Sequence, residues 1–214
     1  MKMNKVDTKK AYQLLWEKIT TLELAPGEIL NIAALADELG FSQTAIQEAL
    51  NLLVHDHLVE APPRGLFVAG LQFSDLEKIS TIRLNLETLA AQQAARNATK
   101  DDLVILKTLC NEIAGDTIEL FELDQRFHQA IAKAAHNTYL ADTLNRFYGL
   151  SKRLWFLALP YLDFLPSAVK SHINLSSAIR EGNESLAMEI MQRHIEEFYL
   201  KIQQIIQDKK LILD

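Results

Sequence analysis

The sequence has a single cysteine, Cys110, so it can form no intramolecular disulfide. A lone thiol suits a small apolar residue on a helix in a reducing compartment. Turn-formers are scarce too: seven glycines and five prolines in 214 residues. No apolar run reaches the roughly 20 residues that span a bilayer, and no signal peptide opens the chain. The expected location is the cytoplasm, with no membrane partner. Basic charge is also in short supply. The 22 Lys and Arg are outnumbered by 28 Asp and Glu, giving a formal net charge of −6. That argues against a generic polyanion binder. Divided at residue 70, the first part carries six basic and nine acidic residues, the rest sixteen and nineteen, each part net −3. Any contact with DNA must therefore rest on local placement of charge.

What is plentiful is Leu, Ala, Ile and Glu, which favours helix. Hydrophobic residues are 49% and charged residues 23%, an ordinary globular balance for one or two domains.

The stretch Ala36 to Leu53 organises the first part. Leu35 and Leu39 form an apolar i, i+4 pair, Gly40 ends their helix, and Ser42 can cap the next one. Ala45, Ile46, Ala49, Leu50 and Leu53 then recur at helical spacing as one buried stripe. Gln43, Thr44, Gln47, Glu48 and Asn51 face the other way. A short second helix with amide and hydroxyl groups outward suits a DNA major groove. An ordinary helical hairpin has the same pattern. Before it, Ala11, Leu14, Leu15, Ile19 and Leu22 mark a helix to about residue 22. Lys2, Lys5, Lys9 and Lys10 form a thin basic end, a solvated terminus or a phosphate contact. Pro26-Gly27 is a turn, and Asn31 caps Ile32 to Leu39. After it, His57 to Ala61 and Leu66 to Ala69 flank Pro62-Pro63-Arg64-Gly65, a β-hairpin with Arg64 at its tip. His55 and His57 read as surface or packing residues. Three helices and a hairpin are the order of a winged helix-turn-helix. Arg64 beside Gly65 is placed for a phosphate or the minor groove.

The order Leu24-x-Pro26-Gly27-x-x-Leu30, Leu35-Ala36-x-x-Leu39-Gly40-x-Ser42-x-Thr44, Glu48-Ala49-Leu50-x-x-Leu53, Leu58-Val59 and Arg64-Gly65-x-x-Val68 resembles the N-terminal domain of the GntR family of bacterial transcription regulators. The resemblance implies operator contacts from Ser42, Gln43, Thr44, Gln47, Arg64 and Gly65. The chain departs from the family at Gln43 and Gln47, where Arg is usual, and at Ala45, where Pro is usual. Gln can still bond adenine edges. Two missing cations should flatten the salt dependence of binding.

From residue 71 on, the sequence reads as an all-α bundle of six or more helices. Ser74 and Glu77 suggest a capping box opening a helix to about Arg96. Thr99 caps another to Ile113. Asp116 to about Ala134 and Asn137 to about Leu157 follow, then a break with Pro160 and Pro166. Ser167 to Arg180 is next, and Glu181-Gly182-Asn183 turns into a last helix to about Asp208. Four polar residues stand out against the apolar stripes. Asp124 and His128 share a helix face, and His172 and His194 lie on two later helices. They are either scattered surface groups or a carboxylate and three imidazoles that meet inside the bundle, suited to divalent Zn, Ni, Mn or Fe. His136 has no partner in this pattern.

Leu123-Asp124-x-x-Phe127-His128-x-x-Ile131-x-x-Ala134-x-x-Asn137-x-x-Leu140, with His172-x-x-Leu175-x-x-Ala178-Ile179-x-x-Gly182, Ala187 and His194, is similar to the ligand-binding domain of the FadR-like (FCD) branch of that family. The resemblance implies that Asp124, His128, His172 and His194 hold the ion. It departs at Ser171, where Glu is common. One carboxylate and three neutral imidazoles leave a divalent ion at net +1, which a small organic acid could cancel. Arg83, which matches an Arg common in this branch, could hold the acid's far carboxylate. It could equally pair with Glu87 at i, i+4. Arg153 and Trp155 could line the same cavity or belong to the core.

The expectation is a mostly α protein with a winged helix-turn-helix at 1–70 and an all-helical metal and effector domain at 71–214. It would act as a homodimeric, ligand-responsive regulator, in the manner of a repressor, on double-stranded operator DNA. The alternatives are a metal-dependent enzyme, for which no general base stands beside the four ligands in sequence, or a family member whose DNA binding has decayed.

Overall fold

The computed structural model describes residues 5–211. Lys2 of the basic N-terminus lies outside them, and of Lys5 only the backbone is described. The protein is mostly α-helical and forms two compact units. One holds the residues up to Gln72 with Lys152–Phe156, and the other holds Phe73–Ser151 and Leu157–Asp214.

In the first unit, α1 (Lys5–Thr20), α2 (Ile32–Leu39) and α3 (Gln43–His55) precede a small sheet. Ala11, Leu15 and Ile19 of α1 are fully buried, as are Ile46, Ala49, Leu50 and Leu53 of α3. Leu14 lies on the exposed flank, and Leu22 falls beyond the helix. The turn between α2 and α3 is built from local chemistry. Asn31 Oδ1 accepts from Ala34 N–H at 3.1 Å to start α2. Gly40 ends it at φ +71°, a conformation that favours glycine, and donates to the Ala36 carbonyl. Ser42 Oγ then accepts from Ala45 N–H at 3.2 Å to start α3. The hairpin pairs β1 (Val59–Glu60) with β2 (Phe67–Val68), antiparallel, with Val59 opposite Val68. The strands are shorter than the sequence suggests, and they gain an unforeseen edge. Ile29 bridges to Phe67, Gly27 N–H donates to the Val68 carbonyl, and Leu30 N–H donates to that of Leu66. Three residues after a Pro-Gly turn are too few for a strand pattern to register.

The second unit is a bundle of α4 (Phe73–Asn97), α5 (Lys100–Asn111), α6 (Thr117–Ala134), α7 (Thr138–Ala158, apart from its Lys152–Phe156), α8 (Leu165–Arg180) and α9 (Glu184–Lys209). α4 brings Ala90, Ala91 and Ala94 to the core, where small side chains permit close helix approach. Phe127 and Ile131 of α6, Leu144 of α7, Leu175 of α8 and Met191 of α9 complete it. Two expectations are corrected. α4 begins at Phe73, so Ser74 sits inside the first turn and its hydroxyl meets Lys78 Nζ instead of capping. Pro166 lies in the first turn of α8, not in a break before it, because a residue there needs no N–H. A 3-10 turn, Leu159–Tyr161, carries Pro160. No helix among the described residues is long and apolar enough to cross a membrane.

A capping box does form at Thr99 and Asp102. Asp102 also accepts from His136 Nε2 at 2.8 Å. Burial works against the Asp102 charge, but the Thr99 donors and His136 outweigh it and lower its pKa. Asp102→Ala should cost about 1 kcal/mol. Because the folded pKa is depressed, the benefit is present at neutral pH. It is lost as pH falls through the ordinary aspartate range and below. Urea denaturation of both proteins at pH 7 and in acid should show the gap closing. A gap that widens in acid contradicts the cap.

Candidate metal centre and nucleic-acid interface

Asp124 and His128 lie one turn apart on α6, His172 comes from α8 and His194 from α9. All four are buried, with 3, 2, 2 and 7% of their surface exposed. One donor atom from each lies within 4.8 Å of every other. Asp124 Oδ1 is 3.2 Å from His172 Nε2, 3.7 Å from His128 Nε2 and 3.8 Å from His194 Nε2. Neighbouring donors on one ion with bonds of 2.0–2.2 Å stand roughly 3–3.5 Å apart.

The surrounding hydrogen bonds set the ring tautomers. His128 Nδ1–H donates to Glu87 Oε2. Ser171 Oγ–H donates to the Ala168 carbonyl at 2.7 Å, so its oxygen accepts from His194 Nδ1–H at 3.0 Å. Both rings are thereby left with a lone pair on Nε2, and these two nitrogens face each other at 3.0 Å. Two lone pairs at that distance repel unless a proton or a cation lies between them. Asp124 Oδ1 and His172 Nε2 are buried with no hydrogen-bond partner among the described residues. Phe127 stacks flat on the His172 ring at 4.0 Å and fixes its plane. Unsatisfied donor atoms converging from three helices, with carboxylate and hydroxyl backing behind two rings, fit a divalent ion.

The electrostatics agree. Burial opposes the Asp124 charge, but the His128 and His172 rings hold its pKa well below the carboxylate range. Burial also opposes charge on His128, yet Glu87 and Asp124 raise its pKa. Burial lowers that of His172 against the pull of Asp124. Burial and the neighbouring His128 push His194 down to about 3. Protonation of the cluster is thus favoured at His128 over His172 and His194, and a proton on its Nε2 would take the place of a cation.

Arg83 and Glu87 form the i, i+4 pair that their spacing allows, but inside the bundle, both almost fully buried. Arg83 also lies over the Tyr148 ring at 5.1 Å. Arg83 is thus linked to the cluster through Glu87 and His128. Glu87 is the residue that sequence reasoning missed, having been seen only as a partner for Arg83. A signal existed: Arg83, Glu87, Ala90 and Ala94 share one stripe of α4. Arg153 and Trp155, expected either to line the effector cavity or to belong to the core, are both buried. Both belong to the first unit, where buried Arg153 donates to the Ala69 carbonyl.

In the first unit, Gln43, Thr44 and Asn51 are exposed on one face of α3, and Gln47 is half-buried. Gln47 Nε2 donates to Asn51 Oδ1 at 3.1 Å. Ser42 spends its hydroxyl on the cap and remains at the helix start. Arg64 is exposed on the hairpin with its guanidinium over Phe67 at 4.7 Å. Gly65 beside it has φ +135°, which a side chain would strain.

A helix-turn-helix with a wing, joined in one chain to a helical bundle carrying a buried polar cluster, defines a two-domain transcription regulator. Residues 7–68 match the bacterial regulatory proteins of the gntR family, and residues 78–197 match the FCD domain. The chain belongs to the FCD branch of the GntR family. Among its relatives is the Escherichia coli regulator McbR, 29% identical over 82% of this chain and 85% of that one. Another is the E. coli repressor RspR, 24% identical over 92% and 89%. The solved structure of E. coli McbR/YncC shares the fold, with a TM-score of 0.82 at 21% identity over 92% of this chain and 97% of that one. A putative GntR regulator from Rhodococcus sp. RHA1 aligns with a TM-score of 0.73 at 18% identity over 91% and 96%. These families are regulators, and the chain is a transcription regulator, not an enzyme.

Proposed function

We propose that the protein is a cytoplasmic, homodimeric regulator of operator DNA. Residues 1–70 hold the DNA, and residues 71–214 hold a divalent transition metal and a small organic acid. The observation that carries this reading is the set of four buried donors within 4.8 Å, two with lone pairs turned inward at each other. Asp124, His128, His172 and His194 would hold Zn, Ni, Mn or Fe. Such an ion would supply a net positive centre with open positions for an acid's carboxylate. Arg83 is the group assigned to the acid's far end, with Glu87 as its alternative partner. Acid binding would shift the dimer between arrangements in which two recognition helices do or do not meet their half-sites.

Elemental analysis of the purified chain tests the metal. A second test follows from the competition between protons and the metal for the ring nitrogens. Metal uptake must displace any proton on those nitrogens, so uptake should release more protons as pH drops, and affinity should fall with it. Titration calorimetry in buffers of different ionisation enthalpy would measure this. Uptake with no proton release, or tighter binding in acid, counts against the cluster as described.

On the DNA side, the reading assigns base and phosphate contacts to Ser42, Gln43, Thr44, Gln47, Arg64 and Gly65. Restoring two cations, Gln43→Arg with Gln47→Arg, should steepen the dependence of log K on log salt by about 2. Mobility shifts with the chain's own upstream region at two salt concentrations read this out. An unchanged slope means that α3 does not face the phosphates. A second reading, decayed operator affinity, rests on those two glutamines in a stretch, residues 1–70, of net −3. Binding no tighter than about micromolar by the native chain would favour it.

A further inference from the structure

One helix belongs to both units. α7 runs unbroken from Thr138 to Ala158, yet its Lys152–Phe156 belong to the first unit. That segment buries two adjacent cations: Lys152 and Arg153 are 4 and 2% exposed. Such side chains are almost never buried unless they are paired. Their partners lie on two separate pieces of the winged helix-turn-helix. Lys152 Nζ donates to Glu17 Oε1 of α1 at 2.7 Å and lies over the Trp16 ring at 5.1 Å. Arg153 donates to the carbonyl of Ala69, the residue after β2. Leu154 and Trp155 are buried beside them. α1 is in turn fastened to the recognition helix and its C-cap. Thr8 Oγ1 donates to Glu48 Oε2 at 2.7 Å, and Tyr12 Oη donates to Asp56 Oδ2 at 2.7 Å. Four residues before Lys152, the Tyr148 ring of the same helix lies 5.1 Å from the Arg83 guanidinium in the bundle.

We propose that α7 ties the operator-binding unit to the bundle, with Lys152 and Arg153 as positioning residues for DNA binding: they hold α1 and the end of the wing, and α1 holds α3. Neither residue touches DNA. The winged helix-turn-helix thus completes its packing with a segment that comes some 80 residues later in the chain. One turn of helix separates Tyr148 from Lys152, so a shift of α7 at Arg83 is carried to α1 by a rigid rod. That regulatory half rests on the reading that the bundle holds a metal and a ligand. The hold on α1 and α3 does not.

The test uses the full chain and has two arms. The first is operator affinity by mobility shift, with circular dichroism to check that each variant folds. Lys152→Met should weaken binding about tenfold, and Lys152→Arg should restore most of it. Glu17→Gln is the milder variant, since that side chain is 49% exposed, and should weaken binding about threefold. Added to Lys152→Met it should cost less than about twofold more, because the two residues act through one contact. The second arm is hydrogen exchange read by mass spectrometry, with Zn alone as the probe. In the native chain Zn should slow exchange in the bundle and also in α1. In Lys152→Met it should slow exchange in the bundle only. A folded Lys152→Met that binds the operator like the native chain overturns the proposal, as do fully additive losses in the double variant. So does native α1 left unprotected while Zn protects the bundle. Zn that protects neither unit counts against the metal centre instead, and the first arm then decides the role of Lys152.

Discussion

Glu87→Ala is expected to be among the most damaging single changes in the bundle. Glu87 accepts from His128 Nδ1 and pairs with Arg83, and all three are almost fully buried. Its removal leaves the Arg83 guanidinium buried without that carboxylate and frees the His128 ring to turn. Breaking a buried ion pair by removing one partner costs about 3–5 kcal/mol. Losing the carboxylate behind a ligand histidine lowers metal affinity about 10–100-fold. Glu87→Gln keeps an acceptor for His128 Nδ1–H and should cost less on both counts. Urea denaturation reads the stability, and competition with a chelating dye reads the metal. If Glu87→Ala unfolds like the native chain, the pair is not buried in solution.

The second large effect concerns the response to ligand. His172→Ala and His194→Ala each remove one of four donors and should abolish most bound metal. With the metal gone, the positive centre is gone, and a small organic acid has no ion to bind. The acid should then no longer change DNA affinity. The contacts on the operator come from the first unit, so mobility shifts without acid should be close to those of the native chain. A variant that keeps its metal and its response would place the acid elsewhere. A variant that loses DNA binding altogether would mean that the bundle is needed to hold the dimer.

How far the sequence carries can be argued from particular residues. Asn31, Gly40 and Ser42 were legible because caps are local: the side chain acts within four residues of its own position. The buried stripe of α3 followed from spacing alone. The edge at Gly27 to Leu30 was not legible, because it exists only through hydrogen bonds to a strand some 40 residues away. Asp124 and His128 share a face by spacing, but nothing local says that His172 and His194 come to meet them. Only the family resemblance brought the four together. Glu87 was overlooked because i, i+4 charge pairs usually sit on a solvated face. The alanines one and two turns further along the same stripe carried the contrary signal. Arg153 read as a cavity or core residue because it lies near the break before α8. One of its partners, the Ala69 carbonyl, lies 84 residues away in sequence, a distance no local pattern reports.

The account rests on one cation among four converging donors. The most direct measurement is the metal content of the full chain and of Asp124→Ala, by elemental analysis after dialysis against metal-free buffer. The account predicts close to one divalent transition ion per native chain and a small fraction of that in the variant. A native chain without metal after growth and refolding with each of Zn, Ni, Mn and Fe would contradict it, as would equal metal in both proteins.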